Sequence, residues 1–423
     1  MKRIALICAL VLLLPSLFPL AAAEEAKPKP QRSGNYEYIL LPDGTAEITR
    51  YRGKENQAFI PDTLGGITVT SIGEAAFSTC SRLRSATIPD TVTNIGSEAF
   101  FFCSDLRRVT IPDSVIQIGD VPFGYCEKLS EVLVSPGNPA LEVIDGALFS
   151  KADRRLVYYP LTSSAASYEI PQGTREIGQQ AFYGCKALES ITIPDSVTRI
   201  GKGAFLGCQS LTGLQIPDGV TEIGASAFAN CAGLTGIKIP EGVTRIESTV
   251  FSGCKNLTDV TIPERVTAID NQAFYGCAGL KSIAIPESVT AIGKLAFAFC
   301  SGLTEIHLPD GLLSLAEEAF FGCSGLTGIA IPGSISEIAR DTFNKCAGLT
   351  EVKLPEGLTA IGQQAFLDCT GLTRAAIPSS VTEIGFAAFG NCPLLTLTVT
   401  RDGYAEQYCK AKNLPYVYAD GAD

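Results

Sequence analysis

A period of 23 residues constrains this chain more than any other feature of its sequence. Cysteines recur at this interval, and Phe precedes each of them by three positions. The single exception to the interval is the 59-residue gap between Cys126 and Cys185. One unit of such a repeat cannot bury its own apolar edge, so the chain must fold by stacking each unit on the next. The cysteines in this register are Cys80, Cys103, Cys126, Cys185, Cys208, Cys231, Cys254, Cys277, Cys300, Cys323, Cys346, Cys369 and Cys392.

Within each unit the apolar residues define a strand. Leu234, Ile237 and Ile239 follow the spacing L-x-x-L-x-L, which is typical of the strand in a leucine-rich repeat. Alternation along that strand points Ile237 and Ile239 inward and Lys238 outward. Pro240 then ends the strand, because it fixes φ and removes a backbone donor. The pattern predicts a repeat solenoid with one parallel β-strand per 23-residue repeat and mostly irregular turns elsewhere.

The full unit reads C-x-x-L-x-x-I-x-I-P-x-x-V-x-x-I-G-x-x-A-F-x-x and spans the chain from about Ile60 to Val399. It resembles the BspA-like leucine-rich-repeat family. The resemblance implies a right-handed leucine-rich-repeat coil and a secreted or surface protein of bacterial type. In some members of that family it implies an adhesin for host matrix proteins or for other microbes, and it implies no catalytic site.

The N-terminal residues 1–23 are typical of a cleaved signal peptide. Lys2 and Arg3 precede an apolar run, and a small-residue segment places cleavage between Ala23 and Glu24. A membrane anchor is the alternative, but two prolines interrupt the run and no basic stop-transfer cluster follows it. We therefore expect a secreted or cell-surface location and no membrane span.

The remaining chain divides at changes in the repeat pattern. Alternating residues around Pro42-Asp43-Gly44 predict a hairpin cap, and Asp402 is placed to N-cap a short helix over 403–412. The predicted divisions are a flexible leader over 24–35, an N-terminal β-hairpin cap over 36–59, leucine-rich repeats over 60–134, an interruption or degenerate repeat over 135–170, leucine-rich repeats over 171–400 and a C-terminal cap over 401–423.

The interruption at 135–170 has two interpretations. It can be a divergent coil or hairpin of the same solenoid. Alternatively, it projects as a recognition loop that presents Tyr158, Tyr159 and Tyr168, since insertions in repeat proteins often map to a binding face.

Charge and residue content argue against several functions. After signal removal 31 basic residues face 44 acidic ones, a formal charge of −13, and no basic stripe is present, so we expect no nucleic-acid partner. His307 is the only histidine, which leaves a hydrolase little to use, and we expect no enzyme. An acidic residue after most repeat prolines, such as Asp218 or Glu241, fits a turn preference better than stacked calcium ligands. We expect no cofactor and no structural metal.

The cysteine column also favours a structural role. In an exported protein disulfides are the default expectation. Side chains at one repeat position point the same way, however, which is a poor geometry for bridging neighbours. We expect reduced, buried thiols that pack as small apolar groups.

Function must then reside on the outward surface. We predict a binding protein or adhesin that engages an extracellular protein or glycan over an extended area, with a self-associating envelope component as the alternative. Aromatic residues after the repeat Phe, including Phe102, Tyr125 and Phe299, are expected to pack between coils and become stronger candidates if several are exposed together. The candidate binding surface comprises Lys238, Glu305, His307, Glu351, Lys353 and Arg374 on the strand face, and Tyr158, Tyr159 and Tyr168 in the interruption.

Overall fold

The computed structural model describes residues 29–420 as a parallel β-solenoid of stacked 23-residue turns. The predicted signal peptide and its cleavage position between Ala23 and Glu24 lie outside the described residues. Within residues 29–420 there is one helix, Tyr404–Lys412, and no helix long and apolar enough to cross a membrane. The predicted solenoid, with a hairpin at one end and a short helix at the other, is confirmed.

The first ladder consists of the strands that the L-x-x-L-x-L spacing predicts. Its strands pair in parallel with a shift of one repeat, as Lys238 does with Thr261. Ile237 points inward and is buried, and Lys238 faces solvent. The backbone N–H of Val243 donates to the Pro240 carbonyl at 3.0 Å, so the proline starts a tight turn. The strands are Gln57–Phe59, Ser85–Thr87, Arg108–Ile111, Glu131–Val134, Ser167–Glu169, Ser190–Thr192, Gly236–Lys238, Asp259–Thr261, Gly328–Ala330, Glu351–Lys353, Arg374–Ala376, Thr396–Val399 and Tyr416–Tyr418.

A second ladder of mostly two-residue strands runs beside the first, where the sequence predicted one strand per repeat. The second ladder forms because the backbones of neighbouring coils come close together at the glycine that follows the V-x-x-I segment. At Gly224 an added Cβ would lie 2.6 Å from the backbone nitrogen of Lys202, so glycine is required for packing and not for positive φ. The strands are Ala46–Tyr51, Ile67–Ile72, Asn94–Ile95, Gln117–Ile118, Arg155–Tyr158, Glu176–Ile177, Arg199–Ile200, Glu222–Ile223, Arg245–Ile246, Ala268–Ile269, Ala291–Ile292, Ser314–Leu315, Glu337–Ile338, Ala360–Ile361 and Glu383–Ile384.

Stacked phenylalanine rings fill the centre of the coil. One stack runs through Phe77, Phe100 and Phe123, and a second runs from Phe182 to Phe389. Neighbouring centroids are 4.9 to 5.8 Å apart. Such ring pairs add about 0.5–1.5 kcal/mol each beyond the burial of their area.

The cysteines form a parallel column of thiols. All fourteen cysteines that the structure describes are free, and each is buried except the partly exposed Cys80. Eleven thiols donate to the carbonyl of the column Phe in the preceding repeat, at 3.0–3.2 Å, as Cys254 does to Phe228. Burial raises the pKa of Cys254 to about 12. The thiols therefore stay protonated and join the coils instead of reacting or binding metal.

The N-terminal end of the solenoid is closed by antiparallel strands. Gln31–Ser33 pairs antiparallel with Tyr36–Leu40, which pairs antiparallel with Ala46–Tyr51. The expectation of a flexible leader over 24–35 is therefore wrong for Gln31–Ser33, because these residues complete the hairpin sheet. Thr63–Leu64 forms a further antiparallel pair with Ile67–Ile72.

At the C-terminus the helix Tyr404–Lys412 packs on the last repeats before Tyr416–Tyr418 rejoins the first ladder. Its N-cap is Gly403, and Asp402 lies one residue earlier with φ 56°, so the prediction of Asp402 as N-cap is wrong. Glu406 in the first turn accepts a hydrogen bond from the Asp402 backbone N–H at 2.6 Å, just before the N-cap.

The interruption at 135–170 is a small antiparallel sheet inside the solenoid, which we call the wall. Leu141–Ile144 pairs antiparallel with Ala147–Ser150, which pairs antiparallel with Arg155–Tyr158, and that last strand pairs in parallel with Glu176–Ile177. The wall separates two hydrophobic cores, an N-terminal core from Tyr38 to Tyr158 and a C-terminal core from Ala147 to Cys409. Leu148, Val157 and Tyr158 belong to the first core, and Phe149, Leu156 and Tyr159 belong to the second.

Several polar side chains join this segment to the preceding repeats, and Asn138 and Arg155 make the most such contacts. Asn138 donates to the carbonyls of Pro112 and Val115 and accepts from two backbone N–H groups of the wall. Arg155 donates to the Ile118 carbonyl at 3.0 Å and to Asp120 Oδ1 at 2.6 Å. Gln117–Ile118 and Arg155–Tyr158 belong to different sheets, so the guanidinium replaces the backbone pairing that the insertion removes.

Candidate binding site

The first ladder loses its strand pairing at two consecutive repeats. Within residues 29–420, the segments 282–284 and 305–307 form no strand, although the ladder resumes at Gly328–Ala330. Ile306 is partly exposed there, whereas its equivalents Ile283 and Ile329 are each 5% exposed. The result is an open groove of about 570 Å³ on the strand face, which we call the ladder groove.

The ladder groove combines an apolar floor with a charged rim. Its floor is formed by Ile283, Ile306 and Ile329 with small alanines, and its rim carries Glu305, His307, Glu351 and Lys353. An apolar centre surrounded by polar groups is the usual construction of a protein-binding surface.

Four of the predicted surface residues therefore meet in one place, namely Glu305, His307, Glu351 and Lys353. Arg374 lies next to Glu351 in the ladder register, just beyond the groove. Lys238 lies on the same face two repeats before Ala284, outside the groove, with its Nζ 3.8 Å from Asp218 Oδ1.

His307 is an exposed member of this rim. Its side chain is 76% exposed, and its Nε2 lies 3.8 Å from Glu287 Oε1. An imidazole this exposed can contact a partner at the rim of the groove.

The three tyrosines of the interruption do not reach the surface. Tyr158, Tyr159 and Tyr168 are buried, so placing them on the binding surface is wrong, and of the two interpretations of 135–170 the hairpin of the same solenoid holds and the projecting recognition loop does not. The physical reason is the gap in the phenylalanine column. Tyr158 packs edge-on against Phe123 at 5.5 Å, and Tyr159 lies 5.0 Å from Phe182, so the tyrosines continue the two aromatic stacks.

A second concentration of aromatic residues lies where the chain turns after the column Phe. Phe102 is 47% exposed there and stacks on Tyr125 at 5.1 Å, and Tyr125 lies 4.3 Å from Tyr183. Further along the same edge, Phe299 is 42% exposed beside Phe321. These residues pack against one another and also remain accessible, which the sequence alone left undecided.

An open groove extends from the first of these clusters. It has a volume of about 500 Å³ and runs from Tyr125 and Tyr183 to Lys255, and we call it the edge groove. Burial, followed by a hydrogen bond to Tyr125, raises the pKa of Tyr183 above its ordinary value, so its hydroxyl stays protonated at neutral pH. Lys186, Gln209, Asn230 and Lys255 were not singled out from the sequence, since each looks like an ordinary solvent-facing residue of one repeat.

The acidic column does not converge on a metal site. Within residues 29–420, no three His, Cys, Asp or Glu side chains are grouped so that they could hold a metal ion. Carboxylates after the repeat proline, such as Asp218 and Glu264, are exposed at turns, where they face solvent.

Comparison with known families decides the classification. The family described as BspA type leucine rich repeat region (6 copies) matches residues 60–165, 157–281 and 267–396, which together cover most of the chain. The chain belongs to the BspA-type leucine-rich-repeat family. Its units are those of a protein-binding repeat scaffold, and leucine-rich-repeat proteins of this kind are generally non-enzymatic.

Solved structures of bacterial leucine-rich-repeat proteins are similar to this BspA-type chain. A leucine-rich repeat protein from Bacteroides ovatus is 26% identical with a TM-score of 0.54, over 92% of this chain and 99% of that one. A leucine rich cell surface protein from Faecalibacterium prausnitzii is 29% identical with a TM-score of 0.40, over 90% and 97% of the two chains. No curated protein matches the chain.

Proposed function

We propose that this protein is a secreted or cell-surface adhesin that binds an extracellular protein through the ladder groove. The observation that carries the proposal is the loss of strand pairing at the consecutive segments 282–284 and 305–307, together with the partly exposed Ile306 in the groove between them and Gly328–Ala330. BspA-type repeat proteins are typically secreted or surface proteins of bacteria, and the predicted signal peptide over 1–23 agrees with that location.

The composition of the groove favours a protein partner. Ile306 offers a partly exposed aliphatic contact, while Glu351 and Lys353 can set the orientation of a partner through complementary charges. A mixed-charge rim around apolar residues suits a folded protein surface better than a polyanion, because Glu305 and Glu351 would repel the latter.

The proposal is tested by filling the groove without altering the core. Ala284 and Ala330 are outward-facing groove residues, so Ala284→Arg or Ala330→Arg places a long side chain where the partner would sit. Ala376 is exposed in the same repeat column but lies outside the groove, which makes Ala376→Arg the matched control. The binding probe is a panel of purified extracellular-matrix proteins, measured by surface plasmon resonance with the mature protein.

We expect at least one matrix protein to bind, with a loss of tenfold or more for Ala284→Arg and none for Ala376→Arg. Absence of binding across the panel, or equal loss in both variants, would contradict the proposal. N-terminal sequencing of the exported protein should give a chain beginning at Glu24.

Self-association remains the alternative. The edge strands Gln31–Ser33 and Tyr416–Tyr418 at the two ends are only three residues long, and short edge strands discourage end-to-end pairing. This favours the adhesin, and sedimentation of the mature protein over a range of concentrations separates the two, since an envelope polymer would grow with concentration.

A further inference from the structure

The turn after each column Phe requires a left-handed backbone at its second residue. All thirteen repeats have positive φ at this position, and five of them use Gly there. Asn, Asp, Lys and Thr occupy others, but Phe102, Tyr125 and Phe299 are bulky aromatics with φ of 58° to 60°. A left-handed conformation costs a residue other than Gly roughly 1–2 kcal/mol.

These aromatic residues therefore carry backbone strain, while their side chains are only partly buried. Phe102 is 47% exposed, and Tyr125 is partly exposed. Glycine at the same place would remove the backbone strain, as it does at Gly207 and Gly253. Backbone strain combined with an accessible ring is typical of a residue that serves binding.

The edge groove begins at the strained Tyr125, together with its neighbour Tyr183, and continues along the solenoid axis. Tyr125 and Tyr183 form its end wall, with centroids 4.3 Å apart and ring planes inclined at 45°. Gly184, Gly207 and Gly253 lie along the groove, so it is shallow, extends over several coils and offers no deep pocket for an anchoring side chain of a protein. A shallow groove that follows the repeat axis fits a linear polymer.

Polar side chains along the edge groove indicate the chemistry of that polymer. The exposed amides of Gln209 and Asn230 can donate to and accept from hydroxyl groups. Lys186 and Lys255 also line the edge groove, and neither has a carboxylate within ion-pair distance among residues 29–420. Two unpaired ammonium groups in a protein of strongly acidic composition favour an anionic ligand at this place.

We propose that the edge groove binds an acidic polysaccharide. The apolar face of a pyranose ring contacts Tyr125 and Tyr183, its hydroxyl groups bond to Gln209 and Asn230, and the carboxylates of successive uronate residues lie near Lys186 and Lys255. The groove is separate from the ladder groove in its lining residues, so this binding does not depend on the proposed protein-binding function.

The test uses the mature protein and polygalacturonate, a linear polyuronate, followed by affinity electrophoresis and isothermal titration calorimetry. We expect binding to weaken tenfold or more in Tyr125→Gly and in the double variant Lys186→Gln/Lys255→Gln. The lysine variant changes only exposed side chains, so it reports on binding even if the tyrosine variant alters the edge. A neutral glucan of similar length and polyglutamate, a polyanion that lacks sugar rings, serve as comparison ligands.

Matched controls separate this site from the ladder groove. Phe299→Gly changes the same strained position outside the edge groove, and Lys353→Gln removes an ammonium group of the ladder groove. Both should bind polygalacturonate as the wild type does. Failure of the wild type to bind it, unchanged binding in the tyrosine and lysine variants, or equal binding of the neutral glucan or of polyglutamate would each overturn the proposal. None of these results would alter the matrix-protein measurement with Ala284→Arg.

Discussion

Replacing Arg155 should uncouple the two halves of the solenoid. The side chain is 10% exposed and joins the wall at 135–170 to the preceding repeat through the Ile118 carbonyl and Asp120. Arg155→Ala leaves that carbonyl without its charged donor and removes the guanidinium from Asp120 and Asp153.

The magnitude follows from the exposure of each partner. A hydrogen bond from a charged group to a buried carbonyl contributes about 1.5–3 kcal/mol. The Asp120 and Asp153 side chains are 41% and 48% exposed, so each ion pair adds only about 0–1 kcal/mol because solvent screens it. Asp120 also keeps its 2.8 Å hydrogen bond from Gln179. We expect Arg155→Ala to lower the free energy of unfolding by roughly 2–4 kcal/mol.

The loss of stability should be greatest at the boundary between the two cores. Since the N-terminal and C-terminal cores meet at the wall, weakening the joint should let the first core unfold before the second. Urea unfolding followed by circular dichroism and tyrosine fluorescence should change from one transition to two, because the chain has no tryptophan to dominate the signal.

The matched control is Arg199→Ala. Arg199 and Glu222 lie 3.2 Å apart on the second ladder with side chains 47% and 57% exposed, and such a pair contributes about 0–1 kcal/mol. If Arg155→Ala unfolds in one transition with the midpoint of Arg199→Ala, the guanidinium does not hold the halves together and the reasoning fails.

Two further predictions concern the thiol column and the C-terminal cap. In the native protein, Ellman's reagent should label no more than the partly exposed Cys80 of the described thiols, since burial raises the pKa of Cys254 to about 12; rapid labelling of several thiols would refute the buried column. Hydrogen bonds from Lys410 and then Tyr418 lower the pKa of Glu406 to about 2, so its carboxylate stabilises the cap above the unfolded pKa of about 4.3 and loses this effect as pH falls toward 2. Thermal unfolding should therefore show a loss of stability between pH 4.5 and 2 in the wild type that is reduced in Glu406→Gln, and identical pH profiles would contradict the role assigned to Glu406.

The repeat could be predicted from sequence because identical positions repeat identical physics. Ile237, Phe228 and Cys231 take the same environment as their equivalents in most other coils, so one unit describes nearly all of them. The cap helix was also predictable in place, although its N-cap was not, since the N-cap is Gly403 and the preceding Asp402 has a left-handed backbone.

Features that break the repeat were harder to predict. The pair Tyr158-Tyr159 lies where the repeat pattern fails, and only the gap in the phenylalanine column explains its burial. The ladder groove depends on pairing lost between neighbouring coils, which leaves no mark in the residues of 282–284 or 305–307. Left-handed φ at Phe102 and Tyr125 was detectable in principle, because aligned repeats place Gly at the same position.

That left-handed position also affects how such proteins can diversify. Gly, Asn, Asp, Lys, Thr, Phe and Tyr all adopt the same backbone there without changing the coil beneath them. A substitution at this position alters the outer edge of one coil only and leaves the phenylalanine and cysteine columns untouched. On the proposal made for the edge groove, a single substitution at this position would change the ligand surface of one coil without changing its core, and a pair of aromatic residues could be moved to two other adjacent coils.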